Sequence, residues 1–478
     1  MVEEKQQGLT ETKKGNFSEW YNQVVQKAEL ADYAPIRGFM VVRPNAYALW
    51  ESIQENFNKA IFKRGVRNAY FPLLIPKSFF EKEAEHAEGF EPELAWIESD
   101  NKDVEEKLAI RPTSETIMYD AYSKWIRSWR DLPLRINQWC NVLRWEVSQT
   151  KLFLRTREFL WQEGHCVYET EEEAEKEALM FLDEYKSLCH DLLAVPVLLG
   201  QKTESEKFAG AKKTFTIEAL MPDGKALQMG TSHNLGQGFA KAFGIEYLDE
   251  KGKKKLPWQN SWGFSTRLIG SIIMVHGDDK GFVQPPRLAK TKAVIVPILF
   301  DKTKAKVLKK AKELEKKLDS LNAFVDDRDS YSPGWKFNEW ELKGIPLRVE
   351  IGPKDLEKKQ VVLVRRDTGK KEFVKEAKIA ERAKKVIEEM HKDMFEKAEK
   401  FLKENSTEVK TWQDFKKALA QKKLILAPFC NTTECEEEIK DETTATSRCI
   451  PFGQKNQKLK CIKCGKETTI KAWFGKSY

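Results

Sequence analysis

The sequence predicts an α+β domain, then a small α/β domain, then a compact α/β module rich in cysteine. Three observations support this order. Residues 143–165 alternate charged and aromatic side chains, as a hairpin of strands does. From Lys292 onward strand and helix patterns alternate, which is typical of α/β domains with a mixed or parallel sheet. Five of the eight cysteines lie in the last 50 residues, which indicates a separate module.

Length and composition limit the class of protein. A chain of 478 residues exceeds what one hydrophobic core usually supports, so roughly two to four domains are expected. Hydrophobic residues make up 41% of the sequence and aromatic residues 11%, which predicts a folded, soluble protein. Lysine and arginine number 82 against 74 acidic residues. The formal charge of +8 is compatible with a polyanionic partner but does not establish one.

The N-terminal segment, residues 1–16, is polar throughout and is expected to be a disordered arm. It does not resemble a signal peptide, and no apolar run approaches the roughly 20 residues of a membrane span. We therefore predict a cytoplasmic protein without a membrane partner. Cys140, Cys166 and Cys189 stand among apolar or aromatic neighbours, so they are most simply interpreted as buried free thiols.

Periodicity and breaker residues define the first elements of the α+β domain. Apolar residues at helical spacing predict a short helix from Phe17. A strand over 39–43 and a helix from Asn45 follow, with Gly65 as the expected C-terminal cap. The strand expected over 66–76 contains two prolines and should lie at a sheet edge or an interface.

The later elements of this domain surround the hairpin. A helix over about 115–129 is expected after a polar turn, with Thr113 as a candidate N-cap. A strand over 135–140 leads into the hairpin, and a long acidic helix over about 170–194 follows it. A loop and a strand are expected over 207–220, and a strand and a helix over 225–244. Residues 256–281 are expected to form a strand, a turn and a helix with Arg267 near its start.

The hairpin over 143–165 is expected to hold fixed cations over a concave surface. With a period of two, Arg144 and Glu146 project to the same side, and a second extended segment that carries Arg155 follows a polar turn at 148–151. A solvated edge hairpin with its charges in water is the alternative. Three large rings, Trp145, Phe159 and Trp161, are too many for an exposed ribbon and favour the concave surface.

The α/β domain is expected to follow a proline-rich boundary at 284–289. Its strands are predicted at 293–300, 323–328, 346–352 and 360–366, and its helices at about 303–320 and 335–344. A long charged helix over about 375–404 follows. Its single apolar stripe indicates that it packs through one face.

Four cysteines of the terminal module have the spacing of a zinc site. The pairs are Cys430 with Cys435 (C-x4-C) and Cys461 with Cys464 (C-x2-C), with 25 residues between them. A knuckle that ends in Cys-Gly turns backbone N–H groups toward a thiolate, as four-sulfur zinc coordination requires. Since disulfides are not expected in a cytosolic protein, we predict a structural Zn²⁺, with ordinary buried thiols as the alternative. Cys449 is left over.

Arg144, Arg155 and Arg267 suit the phosphates of a nucleotide better than a nucleic-acid backbone. They stand among aromatic and small residues rather than in a lysine-rich strip. The sequence contains neither a G-x-x-x-x-G-K-[ST] P-loop nor a G-x-G-x-x-G turn after a strand. If a nucleoside triphosphate binds, guanidinium groups must therefore hold its phosphates.

Three segments resemble, in order, the motifs of the class II aminoacyl-tRNA synthetases. They are GVRNAYFP (65–72) for motif 1, RWE (144–146) with RTREF (155–159) for motif 2, and GFSTR (263–267) for motif 3. The further segments RPTSET, FLWQEGH, KFAGA, GTSHNLGQ and HGDDKGFVQPPRLA are similar to those of the prolyl-tRNA synthetase family in its archaeal and eukaryote-like form. The resemblance implies a class II catalytic domain over 17–284, with an antiparallel sheet and flanking helices. It also implies an anticodon-binding α/β domain over 285–395 and a zinc-binding domain over 396–478.

The resemblance implies an ATP site without a protein nucleophile. The ATP-binding residues would be Arg144, Glu146, Arg155, Phe159, Gln228, Thr231 and Arg267. Of the three catalytic arginines, Arg144 would contact the α-phosphate and the attacking carboxylate, and Arg155 and Arg267 would hold the β,γ-phosphates. Glu146 would lie near the adenine amino group, and Phe159 would stack on the adenine ring.

A proline pocket beside the ATP site is also implied. Its residues would be Thr113, Glu115, Arg144, Trp161, Glu163, His165, Phe208, His233 and Ser265. Thr113 and Glu115 would accept hydrogen bonds from the secondary ammonium, and aromatic side chains would enclose the flat ring. Without the resemblance, His165 and His233 would be interpreted as satisfied core histidines.

Contacts with tRNA and with a second subunit are implied in turn. In the α/β domain, Arg348, Glu350, Lys354 and Arg366 would read the anticodon, with exposed charges at strand ends as the alternative. Motif 1 implies a homodimer. The C-terminal tyrosine of this family type resembles a plug that reaches toward the active site, and a frayed terminus is the alternative for Tyr478.

The implied activity is a ligase with ATP, proline and tRNA(Pro) as substrates. Proline and ATP would give prolyl-adenylate and pyrophosphate, and the prolyl group would pass to the 3′-OH of the terminal adenosine. Mg²⁺ would bridge the phosphates, with Glu218 as a candidate ligand. One alternative is a class II synthetase for threonine, histidine or glycine, which would need a different amino-acid pocket. The other is a non-catalytic regulator, which should have lost one of the three arginines.

Only about 100 residues separate motifs 2 and 3, whereas bacterial-type prolyl enzymes carry an editing domain there. A hydrophobic pocket discriminates by only about 1–3 kcal/mol per methylene, so alanine or cysteine could be activated wrongly. A separate protein is therefore expected to proofread in trans.

Overall fold

The computed structural model describes residues 8–84, 93–98 and 106–478. Residues 1–7 of the expected disordered arm lie outside this part of the chain. Residues 8–16 are mostly exposed but are held in place, contrary to the expectation, because Lys13 Nζ donates to the carbonyl oxygens of Gly277 (2.6 Å) and Val275 (3.3 Å). Burial, together with the nearby charge of Lys397, lowers the pKa of Lys13 to about 7.

The first part of the chain forms the α+β domain. Its helices are α1 (Phe17–Lys27), α2 (Pro44–Phe62), α3 (Lys77–Ala84), α4 (Glu115–Trp125), α5 (Glu171–Ser187), α6 (Gly238–Ala242) and α7 (Arg267–His276). Its strands are β1 (Ala31–Tyr33), β2 (Met40–Val42), β3 (Arg67–Asn68), β4 (Leu74–Pro76), β5 (Leu108–Ile110), β6 (Leu134–Leu143), β7 (Glu158–Tyr168), β8 (Leu198–Gln201), β9 (Lys213–Leu220), β10 (Lys225–Gly236), β11 (Tyr247–Leu248), β12 (Lys254–Lys255) and β13 (Trp258–Ser265).

The strands β8, β9, β10, β13, β7 and β6 lie side by side in this order, and every neighbouring pair is antiparallel. Short β3 pairs in parallel with β6 at the edge, which agrees with the edge position expected for the proline-containing segment. A core that includes Trp20, Trp50, Phe57 and Trp262 joins this sheet to its helices.

The hairpin differs from its expected form. Its strands are β6 and β7, and residues 144–157 form the loop between them instead of two further extended segments. Phe153 in this loop has a φ of 61°, which breaks the period of two. Arg144, Glu146 and Arg155 are therefore presented by a loop, whereas alternate residues from Phe159 onward are presented by β7.

The predicted N-cap of α4 is also wrong. Ser114 occupies the N-cap position, so Thr113 precedes the helix by one further residue. This helix ends at Trp125, four residues before the expected end, and Ile126 that follows has an extended backbone.

The second part of the chain forms the α/β domain. Its helices are α8 (Lys304–Lys317), α9 (Pro333–Leu342), α10 (Pro353–Glu357) and α11 (Ile379–Glu404), and its strands are β14 (Ala293–Pro297), β15 (Phe324–Val325), β16 (Leu347–Ile351), β17 (Gln360–Arg365) and β18 (Lys371–Lys375). The strand order is β15-β14-β16-β17-β18, parallel for the first three and antiparallel for the rest, which confirms a mixed sheet. The buried residues of α11 form the expected stripe. This helix runs through residue 395, where a domain boundary is predicted.

The terminal module contains β19 (Ser406–Glu408), α12 (Trp412–Ala420), β20 (Leu424–Pro428), α13 (Thr433–Thr443), β21 (Thr446–Pro451), β22 (Leu459–Lys460), β23 (Glu467–Thr468) and β24 (Lys471–Ser477). Its strands continue the sheet of the α+β domain, because β21 pairs with β8 through Ile450 and Gln201. Gly200 permits this approach, since a Cβ there would lie 2.4 Å from the Ile450 carbonyl oxygen. One sheet of eleven strands thus spans two domains. Among the described residues, none of the helices combines the length and apolar character that a membrane crossing requires.

Candidate active site

A cavity of about 490 Å³ lies against β7, β9, β10 and β13. Almost all the residues predicted to bind ATP or proline line it: Thr113, Glu115, Arg144, Glu146, Phe159, Trp161, Glu163, His165, Phe208, Gln228, Thr231, His233, Ser265 and Arg267. The exception is Arg155, which is exposed on the hairpin loop and does not line the cavity. The roles of these residues remain predictions, but the chain brings them to one place.

Strand register explains why the segments converge. On β7, Trp161, Glu163 and His165 alternate toward the cavity, while Gln162 and Cys166 face the helices. Glu163 pairs with Gly263 on β13, and Gly263 pairs in turn with Thr231 on β10. Residues about 100 positions apart in sequence therefore form one row across the sheet.

Glu163 is the most heavily bonded group in the cavity wall. Its Oε2 accepts hydrogen bonds from the Ser114 backbone N–H (3.1 Å) and from His165 Nε2 (3.2 Å). Its Oε1 accepts from Gln138 Nε2 (3.1 Å). Burial alone would raise the pKa of Glu163, but the hydrogen bonds from His165 and Ser114 lower it to about 2. Glu163 is thus a fixed anion.

His165 lies between Glu163 and Tyr119. Its Nδ1 is 3.0 Å from the Tyr119 hydroxyl oxygen. The tautomer with hydrogen on Nε2 satisfies both contacts, because Nε2–H donates to Glu163 and Nδ1 accepts from the Tyr119 O–H. Tyr119 belongs to α4, so the histidine ring is held between the sheet and that helix.

A second aromatic part of the cavity wall contains His233 and Phe208, whose ring centroids lie 4.9 Å apart. Thr214 connects them. Its Oγ1 accepts from the Phe208 backbone N–H (3.0 Å) and lies 3.0 Å from His233 Nδ1. Burial and the neighbouring His165 lower the pKa of His233 to about 3, so its ring is neutral at pH 7. Thr214 was not predicted, since no part of its motif indicated that its side chain bridges two others.

Arg144 is half-buried in the cavity wall. Its Cζ is 5.5 Å from the centroid of Phe159 and 5.5 Å from that of Trp161, within the range of cation–π contacts. Nε donates to the carbonyl oxygen of Pro112 at 3.4 Å. Burial lowers the pKa of Arg144, although Glu146 opposes the shift. Its fixed guanidinium is suited to bind an anion.

Arg267 opens α7 at a second position in the cavity. Its Nε donates to the Leu154 carbonyl oxygen (3.2 Å) and its Nη1 to that of Gln228 (3.3 Å). Burial and the charge of Arg144 lower the pKa of Arg267 to about 10. The guanidinium groups of Arg144 and Arg267 repel each other, and a polyanion bound to both would relieve this repulsion. The positive end of the α7 dipole adds to this potential.

Glu218 does not have the surroundings of a magnesium ligand. Lys202 Nζ donates to its Oε1 (2.9 Å), and Arg448 donates to its Oε2 from Nη2 (2.8 Å) and Nε (3.1 Å). The carboxylate is buried and does not line the cavity. Lys202 does line it, together with Glu206 and Ser261, and none of these three was predicted.

The four predicted metal-binding cysteines converge in the terminal module. Their sulfur atoms all lie within 4.8 Å of one another, with 3.6 Å between Cys435 and Cys461 and 3.7 Å between Cys430 and Cys464. Tetrahedral zinc with bonds of about 2.3 Å requires sulfur atoms about 3.8 Å apart, so the residues fit a metal ion. Gly465 after the second knuckle has a φ of 73°. Cys449 is outside this group.

The four predicted anticodon residues do not form one exposed set. Arg348 and Glu350 are buried and bind each other, with Nη2 to Oε1 at 2.9 Å. Arg366 binds Asp278 of the α+β domain through two hydrogen bonds of 2.7 Å and is therefore an interdomain contact. Lys354 is exposed on α10.

Tyr478 is anchored, so the alternative of a frayed terminus is wrong. Its hydroxyl donates to Asp223 Oδ2 (2.7 Å), and its backbone N–H donates to the carbonyl oxygen of Ala226 (3.3 Å) on β10. The ring lies under Lys225 Nζ at 4.8 Å. Tyr478 reaches the strand that carries Gln228 but does not line the cavity.

Family models match three consecutive regions. The tRNA synthetase class II core domain (G, H, P, S and T) matches residues 96–276, the anticodon binding domain matches 292–389, and the C-terminal region of prolyl-tRNA synthetase matches 412–478. With the antiparallel sheet and its cavity, these matches define a class II aminoacyl-tRNA synthetase.

Similar proteins narrow the class. The chain is 51% identical over 465 residues to proline–tRNA ligase 2 of Clostridioides difficile, covering 97% of this chain and 96% of the relative. It is 53% identical over 452 residues to proline–tRNA ligase of Rubrobacter xylanophilus, covering 94% and 95%. It is 48% identical over 480 residues to proline–tRNA ligase 2 of Bacillus cereus, covering 100% of both. The chain belongs to the prolyl-tRNA synthetases, enzymes that ligate proline to tRNA.

Proposed function

We propose that this enzyme charges tRNA(Pro) in two steps in the cavity that lies against the sheet of the α+β domain. One observation carries the proposal: residues predicted for ATP and residues predicted for proline line the same cavity, which has a volume of about 490 Å³. Because the two substrates must meet at one phosphorus atom, a shared cavity provides the proximity that the reaction needs.

In the first step, a carboxylate oxygen of proline forms a bond with the α-phosphorus of ATP, and the bond to pyrophosphate breaks. Arg144 would contact both the carboxylate and the α-phosphate, because its guanidinium lies beside Phe159 and Trp161 in the wall of the same cavity. Arg267 would hold the terminal phosphates. These fixed cations stabilise charge without reorganisation, so no protein nucleophile is needed.

Proline would lie between the two aromatic walls. Trp161 and His165 on one side, and Phe208 on the other, offer flat surfaces for the ring. Thr113 and Glu115 would accept hydrogen bonds from the ammonium, while Glu163, a fixed anion, orients His165 and the Ser114 backbone. Neutral His233 adds no repulsion against the ammonium.

The adenine end would contact Glu146, Phe159, Gln228 and Thr231, with Ser265 near the reacting groups. Arg155 would add a contact to the phosphates from the exposed loop after substrate binds. Mg²⁺ supplies further neutralisation of the phosphates when bound, and the phosphates themselves would hold it, because both oxygens of Glu218 are occupied. Zinc at the four cysteines would stabilise the terminal module.

In the second step, the 3′-OH of the terminal adenosine attacks the prolyl carbonyl, and AMP leaves. The anticodon-binding domain would hold the other end of the tRNA. Lys354 is available for this contact, whereas Arg348 and Glu350 would first exchange their mutual ion pair for a base. Arg366 is not part of this proposed tRNA contact, because both of its terminal nitrogens already donate to Asp278.

We also propose a homodimer that uses the surface around motif 1. Large hydrophobic side chains in and next to motif 1 are exposed, namely Phe62 (51%) and Tyr70 (72%). Exposed apolar groups in one region of a protein are typical of an interface. Sedimentation analysis would test this assignment.

Proofreading by a separate protein in the cytoplasm is part of the same proposal. All residues between β7 and β13 belong to the described part of the chain, and they form α5, β8 to β12 and α6 around the catalytic sheet. Incubation of the enzyme with pre-charged alanyl-tRNA(Pro) should leave the ester intact. Rapid release of alanine would contradict editing in trans.

Amino-acid-dependent exchange between ATP and pyrophosphate tests the main proposal. With all twenty amino acids assayed, proline should give the highest exchange. Exchange with threonine alone would contradict the assigned specificity, and no exchange would favour a regulator. Arg144→Ala should abolish exchange but retain tRNA binding. Arg130→Ala is the matched control, because that guanidinium also lies over a ring, 4.7 Å from Trp129, but outside the cavity.

A further inference from the structure

The terminal domain is bonded to the segment that leads into the cavity. β21 pairs with β8 at residues 200 and 201, Thr203 Oγ1 lies 2.9 Å from Ser447 Oγ, and Ser205 Oγ donates to Glu436. The same segment supplies Lys202 and Glu206 to the cavity wall. The cavity wall is thus fixed by residues that follow it by more than 200 positions.

Three buried charges lie at this junction. Lys202 Nζ donates to Glu218 Oε1 at 2.9 Å, and Arg448 donates to Glu218 Oε2 from both Nη2 (2.8 Å) and Nε (3.1 Å). Thr216 Oγ1 donates to the same carboxylate at 3.0 Å. The exposed fractions of the three charged side chains are 2% for Lys202, 1% for Glu218 and 7% for Arg448. Charges this deeply buried act strongly on their neighbours, because little solvent screens them.

The group lies at the Arg267 end of the cavity. Glu218 pairs across the strands with Gln228, whose carbonyl oxygen accepts from Arg267. Among the influences on the pKa of Arg267, after burial and Arg144, the charge of Glu218 raises it and that of Arg448 lowers it. The three charges therefore act where the terminal phosphates of ATP are proposed to bind.

We propose that Lys202 is a further phosphate-binding cation, and that Arg448 of the terminal domain positions it by sharing Glu218. Without Arg448, the negative charge of Glu218 would balance the positive charge of Lys202, and the pair would have no net charge. With Arg448 it carries one net positive charge, which favours a polyanion. Lys202 would contact substrate, whereas Glu218 and Arg448 are positioning residues. This inference rests on the proposed ATP site.

Substitutions that change this net charge test the inference. Lys202→Met and Arg448→Met should each raise the KM for ATP by roughly tenfold, since each removes one charge-assisted interaction. The KM for proline should change less than about twofold. Glu218→Gln combined with Arg448→Met restores the net charge and should lower the KM for ATP below that of Arg448→Met alone. Arg448→Lys should give a smaller increase than Arg448→Met.

The control is Ser447→Ala, which removes a neutral hydrogen bond from the same buried interface. It should leave the KM for ATP unchanged even if the melting temperature falls. An unchanged KM for ATP in Arg448→Met would show that Arg448 has a packing role only. A higher KM for ATP in the double variant than in Arg448→Met would show the same. If Arg448→Met does not fold, Arg448→Lys and Lys202→Met make the same test. Wild-type exchange with proline is the reference: its absence would overturn the proposed function and this inference with it, whereas normal wild-type exchange with an unchanged KM for ATP in Lys202→Met would overturn this inference alone.

Discussion

Gly164 of β7 and Trp262 of β13 occupy paired positions, and the indole ring fills the place where a side chain at Gly164 would be. A Cβ at Gly164 would lie 2.2 Å from Cε2 and Cζ2 of Trp262. The ring cannot withdraw, because it stacks on Phe181 with centroids 3.9 Å apart. This contact fixes β7 against β13, and with it the row that contains Glu163.

Gly164→Ala should therefore destabilise the enzyme strongly. Overpacking of a core costs about 1–3 kcal/mol or more, and a contact this short belongs at the upper end of that range. Unfolding in urea would measure the loss. Gly238→Ala is the matched control, because nothing lies within 4 Å of its added Cβ and the residue begins α6. Equal stability of the two variants would contradict the packing argument.

Glu163→Gln should weaken proline binding. The carboxylate accepts from Ser114 N–H, His165 and Gln138, and an amide would turn a donor toward one of these donors. We expect the KM for proline to rise by roughly tenfold or more, with a smaller change for ATP. Glu158→Gln places the same substitution on the same strand outside the cavity. Similar proline KM values for both variants would show that Glu163 does not organise the pocket.

Cys464→Ser should remove a bound metal and lower the melting temperature. Cys464 is exposed, so substitution of a plain thiol at the surface should cost within about 0.5 kcal/mol. A larger loss, together with loss of zinc measured by atomic emission, would show that the thiolate is a ligand. Cys449→Ser, at a buried cysteine outside the group, should retain one zinc per chain. Wild-type protein without zinc after expression in zinc-containing medium would contradict the site.

Stability should fall as pH decreases from 7.5 to 5.5. Burial lowers the pKa of His233 and of His276 to about 3, from an ordinary value of 6.5. Below pH 6.5 the unfolded chain binds protons that these folded rings do not, so each contributes a loss of about 1.4 kcal/mol by pH 5.5. His276→Gln should make the unfolding free energy less dependent on pH, because an amide can still donate to the Leu193 carbonyl oxygen. An unchanged slope would contradict the assignment.

Local sequence predicted site residues correctly where they lie on one strand, and it failed where their position depends on distant parts of the chain. Trp161, Glu163 and His165 lie on β7 at a spacing of two, and their convergence on the cavity follows from that spacing. The hairpin loop was predicted as strands because charged and aromatic residues alternate there too, although Phe153 with positive φ interrupts the pattern. Thr214 and Lys202 were missed, since their roles depend on partners that no local pattern identifies.

The sequence by itself determined the family, the order of the three domains and the cysteine spacing, because each of these is a property of residue type at a fixed distance along the chain. Only the tertiary structure decided that Glu218 is paired with Arg448, that Arg366 joins two domains, and that β21 extends the catalytic sheet through β8. These contacts join residues 88 or more positions apart. Their hydrogen bonds form between strand edges and buried charges that only folding brings together.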